Sequence, residues 1–194
     1  MGYTLNIKGS ENIPKDNNFI ISFNHISIIE PIVLASVFGN ISCVISDRIF
    51  KHFPGSSIII NKFHAIMIDN IPNSNITKKI CDHLKKNVNP IAIAPDGMQH
   101  PEFGNNIGNF KTGAFVPMAP ILPVIIKYKN YDVLPDFKYD AGEDSIHGIL
   151  KLFLNSNTTI DIDIMNLVHP DKDWTPVLYK EHVFNLMNNR YAET

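Results

Sequence analysis

The sequence predicts a single α/β domain spanning residues 1–194, a sheet flanked by helices. Three observations carry this. A chain of 194 residues with 44% hydrophobic and 19% charged residues is long enough and apolar enough for one real core. Short apolar runs bounded by turn residues recur along it, and segments with helical spacing lie between those runs. No internal repeat, low-complexity tract or long linker divides it.

The elements follow in order. Asn18 to Phe23 is a continuous apolar run, as expected of a strand covered on both faces. Pro31 to Phe38 reads as a helix, with proline in its first turn. Ile41 to Ser46 reads as a strand, and Ser56 to Ile60 and His64 to Ile68 are rich in β-formers. Asn75 to Val88 sets Ile76, Ile80 and Leu84 four apart, the mark of an amphipathic helix. Its Lys78, Lys79, Lys85 and Lys86 fall on the wet face, where a role against anionic lipid is an alternative. Pro90 to Ala94 and Leu122 to Tyr128 are strands. Thr158 to Ile164 alternates Thr-Ile-Asp-Ile-Asp-Ile, which fits a strand with one polar face. Thr175 to Asn189 reads as a closing helix. Between two of these elements, Pro95 to Asn109 is a long polar, Gly- and Asn-rich loop, where a substrate site is expected.

Composition excludes several classes of function. A net charge of −2 and a pI near 6.4 do not suit binding of nucleic acid by bulk electrostatics. No apolar run reaches the roughly 18–20 residues of a membrane-spanning helix. The N-terminus lacks the basic and apolar regions of a signal peptide, and Asn6 spoils a myristoylation pattern. Cys43 and Cys81 form neither a disulfide framework nor a cysteine zinc site, and an intracellular setting is expected. His64, His100 and His169 show no metal-ligand spacing, so no metal or other cofactor is expected. Trp174 reads as a packing residue before the last helix, or as an interfacial anchor. Isoleucine and asparagine are both abundant and both have AT-rich codons, so an isolated asparagine carries little weight.

The segment Asn24-His25-Ile26-Ser27-Ile28-Ile29-Glu30 follows the first of these strands directly. A strand-to-helix junction is where α/β proteins place chemistry. His25 can be a general base near neutral pH, and a carboxylate on its far nitrogen would fix the tautomer. Five residues of ideal helix turn through about 500°, leaving their ends about 140° apart. His25 and Glu30 therefore meet only if His25 precedes the helix. The same segment has a second reading: Ser27-x-x-Glu30 is a capping-box pattern whose side chains merely satisfy N–H groups at a helix start.

Asn-His-x-Ser-x-x-Glu resembles the His-x4-Asp motif of the glycerolipid and lysophospholipid acyltransferases. Four further blocks of that family follow in order. Phe63 to Asn70 is similar to an apolar strand ending in Asp-Arg. Ile93-Ala94-Pro95-Asp96-Gly97-Met98-Gln99 resembles a block with Pro-Glu-Gly-Thr-Arg. Phe110-Lys111-Thr112-Gly113-Ala114-Phe115 matches Phe-Lys-x-Gly-Ala-Phe, and Ile121 to Ile126 resembles the apolar block after it. The resemblance covers about residues 18 to 130.

It implies a glycerolipid acyltransferase-like fold with a mixed central sheet. It also implies acyl transfer in phospholipid metabolism, with acyl-CoA as co-substrate or an acyl carrier protein as donor. The acceptor would be a lysophospholipid at a membrane surface, and no nucleic acid is involved. By the same resemblance His25 is the base and Glu30 orients it, while Asn24, Ser27, Asn70, Asp96, Gly97, Gln99, Lys111 and Gly113 line the substrate site. Backbone N–H groups around Gly97 are the expected donors to the oxyanion, although a turn glycine is the alternative there.

The chain departs from the family pattern at four places. Glu30 replaces aspartate and Asp96 replaces glutamate, so if the two loops abut, the longer acid on one is expected to be offset by the shorter one on the other. Asn70 and Gln99 stand where the family has arginines, which removes two cations and leaves Lys111. Bidentate arginine is the strong way to hold a phosphate monoester. A phosphodiester acceptor of lysophosphatidylcholine type is therefore expected rather than lysophosphatidic acid. Glycerol phosphate or a non-lipid alcohol, and a lipid-binding pseudoenzyme, remain the competing readings.

Overall fold

The computed structural model describes residues 3–27, 29–46, 61–68, 75–97, 107–129 and 158–193. Among the described residues seven strands and three helices stand in chain order: β1 (Thr4–Lys8), β2 (Ile20–Phe23), α1 (Glu30–Phe38), β3 (Ser42–Ser46), β4 (Ile66–Ile68), α2 (Ile76–Lys86), β5 (Ile91–Ile93), β6 (Ile121–Lys129), β7 (Thr159–Ile164) and α3 (Pro176–Glu193). Single 3-10 turns cover Ser10–Asn12 and Thr112–Ala114.

The strands form one sheet in the order β1-β7-β6-β2-β5-β3-β4. Neighbours run parallel except β6 and β7, which pair antiparallel. The mixed sheet and the α/β class are as expected. Ser56 to Ile60 lies outside the described residues. β1 carries no apolar run because it is an exposed edge strand, held by parallel pairing to β7. Sequence pattern alone did not separate it from a loop.

Side-chain alternation splits the core between the two faces of the sheet. Phe19, Ile21, Phe23, Leu122, Val124, Ile126 and Tyr128 share one face with Val33 and Leu34 of α1. Ile20, Ile91, Ile121 and Ile125 share the other with α2 and α3, through Ile80, Leu84, Tyr179, Val183 and Met187. β2, buried at every position, is the double-covered strand its sequence predicts. The lysines of α2 are exposed as expected, and Asn87 closes that helix in the left-handed conformation (φ +48°) that asparagine tolerates.

Two expectations are refined. The aspartates of β7 do face away from the core, but they are paired: Asp163 with Arg190 at 2.7 Å, and Asp161 with Lys129 and Asn6. α3 runs beyond Asn189, because Arg190 bonds Asp163 and Lys127 Nζ reaches the Tyr191 carbonyl at 2.6 Å. Trp174 packs on Tyr179 and His182, with ring centroids 5.7 and 4.7 Å away.

Candidate active site

β2, β5 and β6 lie side by side and parallel in the middle of the sheet. Their carboxyl ends therefore open on one edge, where α/β sheets place ligands. His25 follows β2 by two residues and Asp96 follows β5 by three. Asn24, 4% exposed, locks the exit from β2. Its Nδ2 donates to the Ile126 carbonyl at 2.9 Å, and its Oδ1 accepts the Ile126 N–H at 2.8 Å. The amide thus continues the β2–β6 ladder one step past the strand, and its hydrogen bonds go to backbone.

Released from the ladder, residues 24–27 run as an irregular segment before α1, which starts at Glu30 with Pro31 in its first turn. This places His25 outside the helix, as the angular argument requires. His25 Nδ1 meets Glu30 Oε2 at 2.6 Å. An ionised carboxylate only accepts, so Nδ1 carries the proton and Nε2 is left as the basic nitrogen. The imidazole is 27% exposed, whereas Glu30 is completely buried. Glu30 Oε1 accepts the Ser27 and Ile26 N–H groups, the latter at 3.2 Å, and the Tyr128 hydroxyl at 2.8 Å. The capping-box reading is thus half right: the carboxylate does return to the Ser27 N–H, but through one oxygen, and the other serves His25.

These contacts set the basicity of His25. Burial, the largest single influence, pulls its pKa down; the charge and hydrogen bond of Glu30, helped by the charge of Asp96, outweigh it. The net result is a pKa raised above the usual 6.5. The Phe23 ring meets the imidazole edge to face at 6.1 Å.

Asp96 is 4% exposed and close enough to act on His25 electrostatically. The next residue, Gly97, has φ +67°, a conformation that disfavours any side chain. A Cβ built there would stand 2.9 Å from Lys111 Nζ and 3.5 Å from Lys111 Cε, so the lysine stem lies across this glycine. The Lys111 N–H in turn bonds the Pro95 carbonyl at 2.8 Å, which ties the two segments together. Gly97's own N–H closes a turn onto the Ala94 carbonyl at 3.0 Å, so among the backbone donors expected around Gly97 this one is engaged. Gly113 sits in the 3-10 turn with open space where its Cβ would be. The structure thus gathers His25, Glu30, Asp96, Gly97 and Lys111 at one edge, with Asn24 and Ser27 as part of the His25 segment. Asn70 and Gln99 lie outside the described residues, as does His100.

The family model described as Acyltransferase matches residues 4–127. The chain belongs to this acyltransferase family. Similar curated proteins include a 1-acyl-sn-glycerol-3-phosphate acyltransferase of Borreliella burgdorferi, 23% identical over 83% of this chain and 63% of its own length. Lysophospholipid acyltransferase LPCAT4 of Xenopus tropicalis is 23% identical over 97% of this chain and 37% of its own. Lysophosphatidylcholine acyltransferase 2 of Mus musculus is 22% identical over 96% of this chain and 35% of its own. The chain therefore spans between about a third and just under two thirds of these relatives. Among solved structures, the 1-acyl-sn-glycerophosphate (LPA) acyltransferase PlsC of Thermotoga maritima shares the fold, with a TM-score of 0.70 and 20% identity. That likeness covers 98% of this chain and 72% of the other.

Burial pushes the Cys43 thiol up to about 12, which leaves it unreactive near neutral pH. Among the described residues no three His, Cys, Asp or Glu side chains gather to hold a metal. No described helix is long and apolar enough to cross a membrane. Tyr128 is the site residue that sequence reasoning missed. It lies 98 positions from Glu30, at the end of a strand that reads as core. Only strand order brings the two together, and no local pattern signals it.

Proposed function

We propose that this acyltransferase moves a fatty acyl group from acyl-CoA to the hydroxyl of a lysophospholipid at a membrane surface. The observation that carries the proposal is the 2.6 Å contact between His25 Nδ1 and a fully buried carboxylate. It leaves Nε2 as a base of fixed tautomer at the open edge of the sheet.

In this reading His25 Nε2 takes the proton of the acceptor hydroxyl as its oxygen attacks the thioester carbonyl carbon. Glu30 stabilises the imidazolium that forms. The tetrahedral intermediate collapses, the C–S bond breaks, and the thiolate recovers the proton from His25. The products are an ester and free thiol, with no covalent acyl-enzyme. Lys111, lying over Gly97 beside Asp96, supplies positive charge near the acceptor phosphate. With Asn70 and Gln99 in place of arginines, the charge of Lys111 suits a singly charged phosphodiester better than a phosphate monoester that carries nearly two charges. Names of both kinds occur among the relatives, and the missing arginines favour the lysophosphatidylcholine type.

The test is transfer of labelled acyl-CoA, or acyl carrier protein thioester, to a panel of acceptors: lysophosphatidylcholine, lysophosphatidylethanolamine, lysophosphatidic acid and glycerol phosphate. His25→Ala serves as the control. Transfer to a phosphodiester lysolipid that vanishes in His25→Ala supports the proposal. Transfer to lysophosphatidic acid alone overturns the acceptor assignment, and no His25-dependent transfer at all points to a lipid-binding pseudoenzyme.

A further inference from the structure

A buried carboxylate needs donors to keep its charge, and the direction from which each donor comes decides where the charge sits. Of the four hydrogen bonds described on Glu30, three come from residues 25–27, the segment that itself has to be positioned. The fourth comes from Tyr128, 8% exposed, on the rigid sheet. Two residues earlier on the same strand, Ile126 is clamped on both its backbone groups by Asn24. β6 therefore fixes the base segment at both ends, at Asn24 through its backbone and at Glu30 through the Tyr128 hydroxyl.

The geometry points to Tyr128 as a positioning residue: its hydroxyl holds Glu30 Oε1 so that Oε2 faces His25 Nδ1. This rests on the proposed role of His25 as the base. It also gives a physical reason for the longer acid. Shortening Glu30 by one methylene withdraws the carboxylate by about 1.5 Å. The 2.8 Å contact with Tyr128 then opens well beyond hydrogen-bond range. Tyr128 is a partner that glutamate can use at this position and aspartate cannot.

The test is kinetic, on the whole chain, with Tyr128→Phe, Glu30→Asp and the double variant. Tyr128→Phe is expected to lower kcat about 10- to 100-fold, the range that a sub-ångström misplacement produces. KM for both substrates is expected to stay within about twofold. With the hydroxyl gone, Oε2 is no longer held against Nδ1, and the imidazolium loses part of the support of Glu30. The acid limb of the pH–rate profile therefore moves to lower pH, a readout that a purely structural role would not shift. In the Glu30→Asp background the same Tyr128→Phe change is expected to alter kcat less than about twofold. A shape-preserving variant guards against a folding artefact. Genetically encoded 3-fluorotyrosine at position 128 keeps the hydrogen bond and is expected to leave the acid limb near its wild-type position. Equal Tyr128→Phe losses in both backgrounds, or an acid limb that does not move in Tyr128→Phe, overturn the inference. Wild-type behaviour of Tyr128→Phe beside an inactive His25→Ala defeats this inference alone, whereas an active His25→Ala defeats the proposed function itself.

Discussion

Replacing Glu30 by glutamine removes one charge and almost no volume, and the structure dictates how the amide must lie. Three donors converge on Oε1: the Ile26 and Ser27 N–H groups and the Tyr128 hydroxyl. An amide NH2 cannot accept any of them, so the glutamine carbonyl takes that place and the NH2 takes the place of Oε2, 2.6 Å from His25 Nδ1. The NH2 then donates to Nδ1, which moves the imidazole proton to Nε2 and abolishes the base. Inverting a catalytic tautomer in this way costs about 10⁴-fold in kcat in the best-studied histidine–carboxylate pair. A loss of about 10³- to 10⁴-fold is expected here, or about 4–5.5 kcal/mol of barrier. Because the Oε1 bonds survive, the stability cost should stay near 1 kcal/mol, a melting shift of about 2–4 °C for a chain of this length. The assay is thiol release from acyl-CoA in the presence of lysophospholipid, run beside a thermal melt. A Glu30→Gln variant that folds normally and keeps kcat within about tenfold of wild type would refute the orientation argument.

Other consequences follow from the same contacts. Because the folded His25 pKa lies above its unfolded value of about 6.5, the stabilisation it gives is complete below that pH. It is lost as pH rises through the folded value, so the stability gap between wild type and His25→Asn should narrow on going from about pH 6 to pH 9 in denaturant titrations. Asn24→Ala orphans two buried backbone groups of Ile126 and should destabilise by about 2–4 kcal/mol, read from the denaturant midpoint. Gly97→Ala forces a side chain into a left-handed φ of +67° and against Lys111. The backbone strain alone is about 1–2 kcal/mol, and acceptor KM is expected to rise more than kcat falls. Gly113→Ala adds a methyl to open space and should leave the melting profile within about 0.5 kcal/mol of wild type, which makes it the natural control.

Much of this site could be read from the chain because its chemistry is local. His25 and Glu30 are five residues apart, and the helix period together with Pro31 forces His25 out of the helix. β2 and β7 announced themselves by a continuous apolar run and by strict alternation. What escaped was set by tertiary pairing. β1 is a strand because β7 lies beside it, and the last turn of α3 persists because Arg190 and Tyr191 find Asp163 and Lys127. The clamp of Asn24 on Ile126 spans 102 positions, and the Tyr128 bond to Glu30 spans 98. Both depend on β6 lying next to β2, and strand order leaves no trace in periodicity. The Gly97 N–H, a candidate donor on sequence grounds, is committed to Ala94 by a turn that only the backbone shows.

The central claim is that His25 is the base that deprotonates the acceptor. An NMR titration of the His25 imidazole in the ligand-free protein can be set against the acid limb of kcat/KM for acyl transfer. Both should report one pKa, above 6.5, and the imidazole value should fall in Glu30→Gln. An imidazole that titrates more than about one unit away from the kinetic limb would contradict the claim.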